Sequence, residues 1–184
     1  MKIQIVSHDE ADQIVPNPPD DLKAVVSIHS PPGSRMAAWV NTHNKVRTRP
    51  CLGFDEFEGH KLALSFDDAT VEGQNITVAT TADLKRLIEW GDNIPFPREG
   101  STILFHCHAG IARSAACALV FLASHSGKGY ERQCVDEIFE ARPEAWFNDL
   151  IVWLGDELLG REQALHNAVQ DWKDEQRARG IYTF

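Results

Sequence analysis

The chain has 184 residues, with 27 acidic against 18 basic side chains, a net charge of −9 and 43% hydrophobic residues. A chain of this length buries a core without disulfides or a structural metal, so one domain spanning residues 1–184 is expected. The negative balance argues against nucleic acid and anionic membrane surfaces as partners, because both would repel it.

From the N-terminus, Ile3 to Val6 reads as a first or edge strand. The turn-rich stretch from Pro16 to Asp21 leads into Leu22 to Ile28, an apolar run that suits a strand buried on both faces. Residues 30–59 are polar and broken by Pro31, Pro32, Gly33, Pro50 and Gly53, which predicts a long loop with a short helix around Met36 to Asn41. Loops of this length in compact domains usually carry function, and this one is expected to shape a cleft. Its cationic run Lys45-Val46-Arg47-Thr48-Arg49 reads as a solvated loop; a cleft border that meets an acidic ligand is the functional alternative.

Lys61 to Phe66 alternates, with Leu62, Leu64 and Phe66 on one face, and predicts a half-buried strand followed by a loop at Asp67 and Asp68. A helix follows, with Thr81 as N-cap, Leu84, Leu87 and Ile88 facing inward, and Asp83 and Asp92 on its polar face and tail. Ser101 to Phe105 is apolar and β-branched, whereas the run after Arg113 is alanine-rich and helix-prone. Further helices are expected over about Arg113 to Ser124, Glu131 to Ala141, Ala145 to Leu158 and Arg161 to Arg177, punctuated by Gly127, Gly129, Pro143 and Gly160. The alternation predicts an α/β fold, a mostly parallel central sheet flanked by helices. The last helix is heavily charged, which suits an exposed face or a contact with another molecule; the sequence does not set the oligomeric state.

No basic start with a long apolar segment marks export, and the longest nearly apolar run, Ala115 to Ala123, is about half a membrane span. Cys51, Cys107, Cys117 and Cys134 have neither paired nor metal-like spacing, which fits a reducing cytoplasm. Cys117 and Cys134 read as core residues, with Cys51 a candidate resolving thiol should Cys107 be oxidised.

The densest chemistry lies in His106-Cys107-His108-Ala109-Gly110-Ile111-Ala112-Arg113-Ser114, between a strand and a helix. A loop turning into a helix N-terminus gathers backbone N–H groups that bind an oxyanion. Here His108, Ala109, Gly110, Ile111 and Ala112 would supply that cradle, Gly110 providing a positive φ or a close approach. Arg113 would hold two phosphate oxygens with a two-pronged guanidinium, a geometry lysine lacks. At the floor, amide dipoles and the guanidinium favour Cys107 as the thiolate, a nucleophile that attacks phosphorus without metal or other cofactor. Ser114 would hydrogen-bond the sulfur, and His106 would fix the cysteine backbone from the strand side. Zinc binding by His106, Cys107 and His108 is disfavoured, because three successive side chains do not converge on a tetrahedral site. A leaving-group acid is also needed; the loop after the third strand offers Asp67 and Asp68, whereas Asp83 and Asp92 belong to a helix.

With these residues the chain resembles the cysteine-based protein tyrosine phosphatase superfamily, specifically its small bacterial dual-specificity-like branch. The resemblance rests on the pattern HCxxGxxRS at His106 to Ser114 and FDDA at Phe66 to Ala69, and runs from about Leu62 to Gly160. It implies a protein tyrosine phosphatase-like fold and a phosphorylated protein or peptide as substrate. Where relatives carry paired aspartates the second usually serves as acid, which points to Asp68, with Asp67 as the alternative. Relatives that prefer phosphoinositides place lysines inside the loop; this loop has none, so an inositol substrate ranks second. A phosphoprotein-binding pseudophosphatase is the non-enzymatic alternative; such proteins generally lack the cysteine, arginine or acid. Arg142 to Gly160 resembles the helical tail of bacterial members, where an asparagine recurs near Asn148. The spacing of Phe147, Leu150, Ile151, Leu154 and Leu158 instead reads this stretch as an ordinary amphipathic helix, which is the preferred reading of Asn148.

Overall fold

The structure is a computed structural model and describes residues 1–35, 48–95 and 100–180. The expected helix around Met36 to Asn41, and Lys45, Val46 and Arg47 of the cationic run, lie outside the described residues.

Four strands, β1 (Lys2–Ser7), β2 (Leu22–His29), β3 (His60–Ser65) and β4 (Thr102–Cys107), form a sheet in the order β1-β4-β2-β3. Every pairing is parallel. β1 lies at one edge, and the buried strand β4 lies between β1 and β2. The strand predicted to stop at Phe105 runs two residues further, so Cys107 is its last residue, in register with Ser7 of β1.

Strand periodicity assigns successive side chains to opposite faces. Ile103, Phe105 and Cys107 enter the larger core with Ile3, Ile5, Val26 and Leu64. Leu104 joins the smaller core on the other face with Val6, Val25, Phe54 and Phe57. Over the larger core lie α2 (Thr81–Asp92), α3 (Arg113–His125), α4 (Glu131–Ala141), α5 (Asp149–Leu159) and α6 (Ala164–Ala178). α3 is the central helix, buried without interruption from Arg113 to Ala123, which accounts for its small residues Ala115, Ala116 and Ala118.

The helix α1 (His8–Ile14) was not expected from its polar sequence. It buries only His8 and Ala11, too little for an apolar pattern, but Ser7 and Glu10 form a capping box at its start. Three predicted boundaries shift for similar reasons. The cap of α2 is Thr80 rather than Thr81, because the Thr80 hydroxyl accepts from the Asp83 N–H while the Asp83 carboxylate accepts from the Thr80 N–H. α5 begins at Asp149 rather than Ala145, with Asn148 as its N-cap. α6 begins at Ala164 rather than Arg161; the Asp156 carboxylate accepts the N–H groups of Gln163 and Leu165, each at 2.7 Å, and holds the preceding turn out of the helix. Among the described residues, no helix is long and apolar enough to cross a membrane.

Candidate active site

The segment from His108 to Ala112 turns from the carboxyl end of β4 into α3. Gly110 makes the turn possible. Its φ is +70°, and a Cβ there would sit 2.5 Å from the Val6 carbonyl carbon and the Ser7 nitrogen. The His8 N–H donates to the His108 carbonyl at 3.2 Å, so β1 and the start of α1 support the turn from one side. From the other, the Trp146 N–H donates to the Ile111 carbonyl at 3.0 Å. Ala145 to Phe147 therefore buttress the turn instead of starting a helix.

None of the backbone amides from Ala109 to Ser114 donates a hydrogen bond among the described residues. Ala112 opens α3 without a side-chain cap. These are the donors an oxyanion satisfies at a helix N-terminus. Arg113 is 4% exposed; its Nη1 donates to the Phe66 carbonyl at 2.8 Å and to Ser30 Oγ at 3.4 Å. Its Nε is buried and meets no acceptor among the described residues. The guanidinium is thus fixed at one prong by the end of β3, with a donor left for a ligand. Cys107 is 1% exposed, and its Sγ lies 3.2 Å from Ser114 Oγ. Alternation along β4 aims this sulfur at the helical face.

The two candidate acids differ sharply. Asp67 is 1% exposed and accepts hydrogen bonds from Ser34 Oγ at 2.6 Å and from the Thr77 N–H at 3.0 Å. Those bonds tie the loop together. Asp68 is exposed, and its Oδ1 accepts from Asn148 Nδ2 at 2.9 Å. Asn148 also caps α5 by accepting the Ile151 N–H at 3.2 Å, and its own N–H reaches the Ala112 carbonyl at 3.5 Å. The reading of Asn148 as an ordinary helical residue is corrected: one side chain joins the carboxylate loop to the turn after Cys107. Its position after Arg142 and Pro143, ahead of an apolar run, is an N-cap signal that helical periodicity obscured.

His106 points to the opposite face. It is fully buried, its ring lies edge-on to His8 with centroids 5.2 Å apart, and neither ring nitrogen has a hydrogen-bond partner at bonding geometry among the described residues. Burial, with His8 and His29 nearby, pushes its pKa down to about 3, against a weaker upward pull from the Cys107 backbone. The imidazole is neutral at ordinary pH. Burial, reinforced by Arg113 and His8, also lowers His29.

Cys51 does not approach Cys107 as a resolving thiol would. It belongs to the smaller core across the sheet, where burial and Asp12 push its thiol up to about 12. Cys117, one turn along α3, is fully buried and also pushed up, chiefly by burial and then by Cys107. All four cysteines are free and buried. One group among the described residues, His8, Asp9 and Asp12, has metal-like spacing, with ligand atoms within 4.8 Å of one another. His8 and Asp12 already pair at 3.3 Å, and Asp12 also accepts the Leu52 N–H at 2.7 Å. Arg49 is linked to the turn, since its carbonyl contacts His8 Nε2 at 3.2 Å.

A parallel sheet with an inner strand that ends on a cysteine, followed by a five-residue turn into a buried helix, is a fold this chain shares with solved structures of the protein tyrosine phosphatase type. Solved structures carry this comparison. Tk-PTP in its active form matches with a TM-score of 0.54 and 18% identity, over 88% of this chain and 93% of that one. PTPMT1 in complex with PI(5)P matches at 0.53 and 15% identity, over 88% and 94%. The human tyrosine phosphatase-like serine/threonine/tyrosine-interacting protein matches at 0.50 and 19% identity, over 78% and 80%. No family model and no curated protein matches the sequence.

Proposed function

We propose that the chain is a phosphatase acting on phosphorylated protein or peptide, of the tyrosine or dual-specificity kind, within a single catalytic domain. The observation that carries this reading is the joint placement of Cys107, the amides from Ala109 to Ser114 and the buried Nε of Arg113, donors that have no acceptor among the described residues. Together they offer one nucleophile and a set of donors to a tetrahedral dianion.

Cys107 Sγ attacks phosphorus, forming an S–P bond as the ester P–O bond breaks. The amides and Arg113 hold the equatorial oxygens, where charge develops. Asp68 gives its proton to the departing oxygen; its exposure and its bond to Asn148 favour it over Asp67, whose carboxylate is occupied. Water then attacks the phosphocysteine, Asp68 takes the water's proton, and the sulfur leaves with help from the Ser114 hydroxyl. The reaction needs no metal or other cofactor.

Two alternatives are weaker. PTPMT1 was crystallised with PI(5)P, but the present turn carries no lysine or arginine between Cys107 and Arg113. A pseudophosphatase would bind without turnover, yet the nucleophile, arginine and acid are all present here. The test is a panel of phosphotyrosine, phosphoserine and phosphothreonine peptides beside inositol phosphates, with wild type, Cys107→Ser and Asp68→Ala. Turnover on peptides, none in Cys107→Ser, and a loss of about 10²–10⁴ in Asp68→Ala on poor leaving groups are expected. Near-wild-type turnover by Cys107→Ser refutes the mechanism.

A further inference from the structure

The turn after Cys107 holds one phosphate, and its side chains from His108 to Ala112 include no lysine or arginine for a second anion. Two cationic residues lie instead on segments bonded to the turn or to the loop of Asp67 and Asp68. Arg35 directly follows Ser34, which bonds Asp67, and its own N–H donates to the Asn75 carbonyl at 2.7 Å. The same segment begins at Ser30, which contacts Arg113. Arg35 is therefore carried on a stretch pinned at one end to the arginine of the turn and at the other to the carboxylate loop. Its side chain is exposed and makes no ion pair among the described residues.

Arg49 occupies the α1 side. Its carbonyl meets His8, whose N–H holds the His108 carbonyl. This side chain is likewise exposed and makes no ion pair among the described residues. Nearby carboxylates have other partners: Glu10 accepts from the Ser7 N–H and pairs with Arg142, and Asp12 accepts from the Leu52 N–H and pairs with His8. In a chain of net charge −9, two arginines without an ion pair among the described residues, on segments tied by hydrogen bonds to the site, are local exceptions to a repulsive field.

We infer that Arg35 and Arg49 form a second, outer anion subsite that selects phosphopeptides with acidic side chains flanking the phosphorylated residue. The inference rests on the phosphatase reading of the site and narrows its substrate. Arg35 and Arg49 are borne on backbone segments bonded to two sides of the turn, an arrangement that suits carboxylates on both sides of a phosphorylated residue in an extended peptide. A compact inositol phosphate would need its second cation within the turn.

The experiment compares two peptides that share one phosphorylated residue, flanked by glutamates in one and glutamines in the other. The readout is the ratio of their kcat/KM values within each of wild type, Arg35→Gln, Arg49→Gln and the double variant. Wild type is expected to favour the glutamate peptide. Each single replacement should shrink that ratio about two- to fivefold, as loss of an exposed ion pair would, and the double variant should bring it close to one. In wild type, 0.5 M salt should also collapse the ratio. A wild-type ratio near one, or a ratio that survives the double replacement, overturns the subsite. Wild-type hydrolysis of a simple aryl phosphate separates the two failures: if it proceeds, the subsite alone falls, and if no phosphoester is cleaved, both readings fall. Should the double variant lose inositol phosphate hydrolysis while keeping its peptide ratio, the peptide assignment is wrong.

Discussion

Replacing Gly110 by alanine probes the turn without touching any reacting group. Two costs arise. An alanine held at φ +70° pays about 1–2 kcal/mol for the left-handed conformation. Its Cβ would also lie 2.5 Å from backbone atoms of Val6 and Ser7, about 1 Å inside the 3.5–4.0 Å optimum for carbon contacts. Neither neighbour yields easily, because Val6 and Ser7 are paired with His106 and Cys107 across the sheet. The turn must move instead, by roughly that 1 Å, and a misplacement of this size can cost about 10²-fold in rate. Gly129 supplies the control: its φ is +94°, but a Cβ there meets nothing within 4 Å. Gly129→Ala should show strain alone, with Tm lower by a few degrees and turnover retained. Gly110→Ala should show a comparable or larger fall in Tm and a loss of about 10² in kcat/KM on an aryl phosphate. Both are read by thermal denaturation and steady-state kinetics. Retention of activity within threefold in Gly110→Ala would refute the reasoning, since the amides would then tolerate displacement.

Asn148→Asp keeps a capping oxygen for α5 but replaces the amide donor facing Asp68 with a carboxylate. Stability should hold within about 1 kcal/mol, while like-charge repulsion keeps the acid protonated longer and moves the falling limb of the pH–rate profile to higher pH; an unmoved limb denies the coupling. Ser114→Ala removes the hydroxyl 3.2 Å from Cys107 Sγ, so breakdown of the phosphocysteine should slow more than its formation and pre-steady-state kinetics should show a burst. A uniform slowing of both steps would argue against leaving-group assistance. His106 is buried neutral, with its pKa lowered to about 3, whereas in the unfolded chain it protonates near 6.5. Its contribution to stability is therefore complete above pH 6.5 and is lost as pH falls from there towards 3, at up to about 1.4 kcal/mol per pH unit. Urea unfolding from pH 7 to pH 4 should give a shallower slope in His106→Asn than in wild type. His29, lowered in the same direction, leaves a residual slope in both, and parallel slopes would reject the assignment.

The strands were legible in the sequence because β2, β3 and β4 carry period-two or continuous apolar runs, and the turn because Cys107 closes an apolar run, Gly110 permits a positive φ and Arg113 opens an alanine-rich run. Less legible were the features set by single polar groups. Ser7 and Glu10 start a helix whose interior has almost no apolar signal. Asn148 sits where helical spacing runs smoothly from Phe147 to Leu158, yet its side chain starts α5 and keeps Trp146 outside the helix, where its N–H holds the Ile111 carbonyl. The different surroundings of Asp67 and Asp68 likewise depend on Ser34 and Thr77, whose contacts with Asp67 join residues 33 and 10 positions apart.

These contacts also explain why the acid loop and the turn should move as one unit. Arg113 grips the carbonyl of Phe66, the residue after β3, Asp67 holds Ser34 beside it, and Asn148 joins Asp68 to the segment that buttresses Ile111. An oxyanion engaging Nε of Arg113, which meets no acceptor among the described residues, would be sensed through Nη1 at the backbone that carries both aspartates. Under the proposed mechanism, geometry at the leaving group is then tied to occupancy of the turn by an oxyanion, and the link depends on a planar guanidinium with separate donors for Phe66 and for the ligand. Lysine at position 113 would preserve the charge but serve only one of them at a time, so Arg113→Lys belongs with the disruptive substitutions.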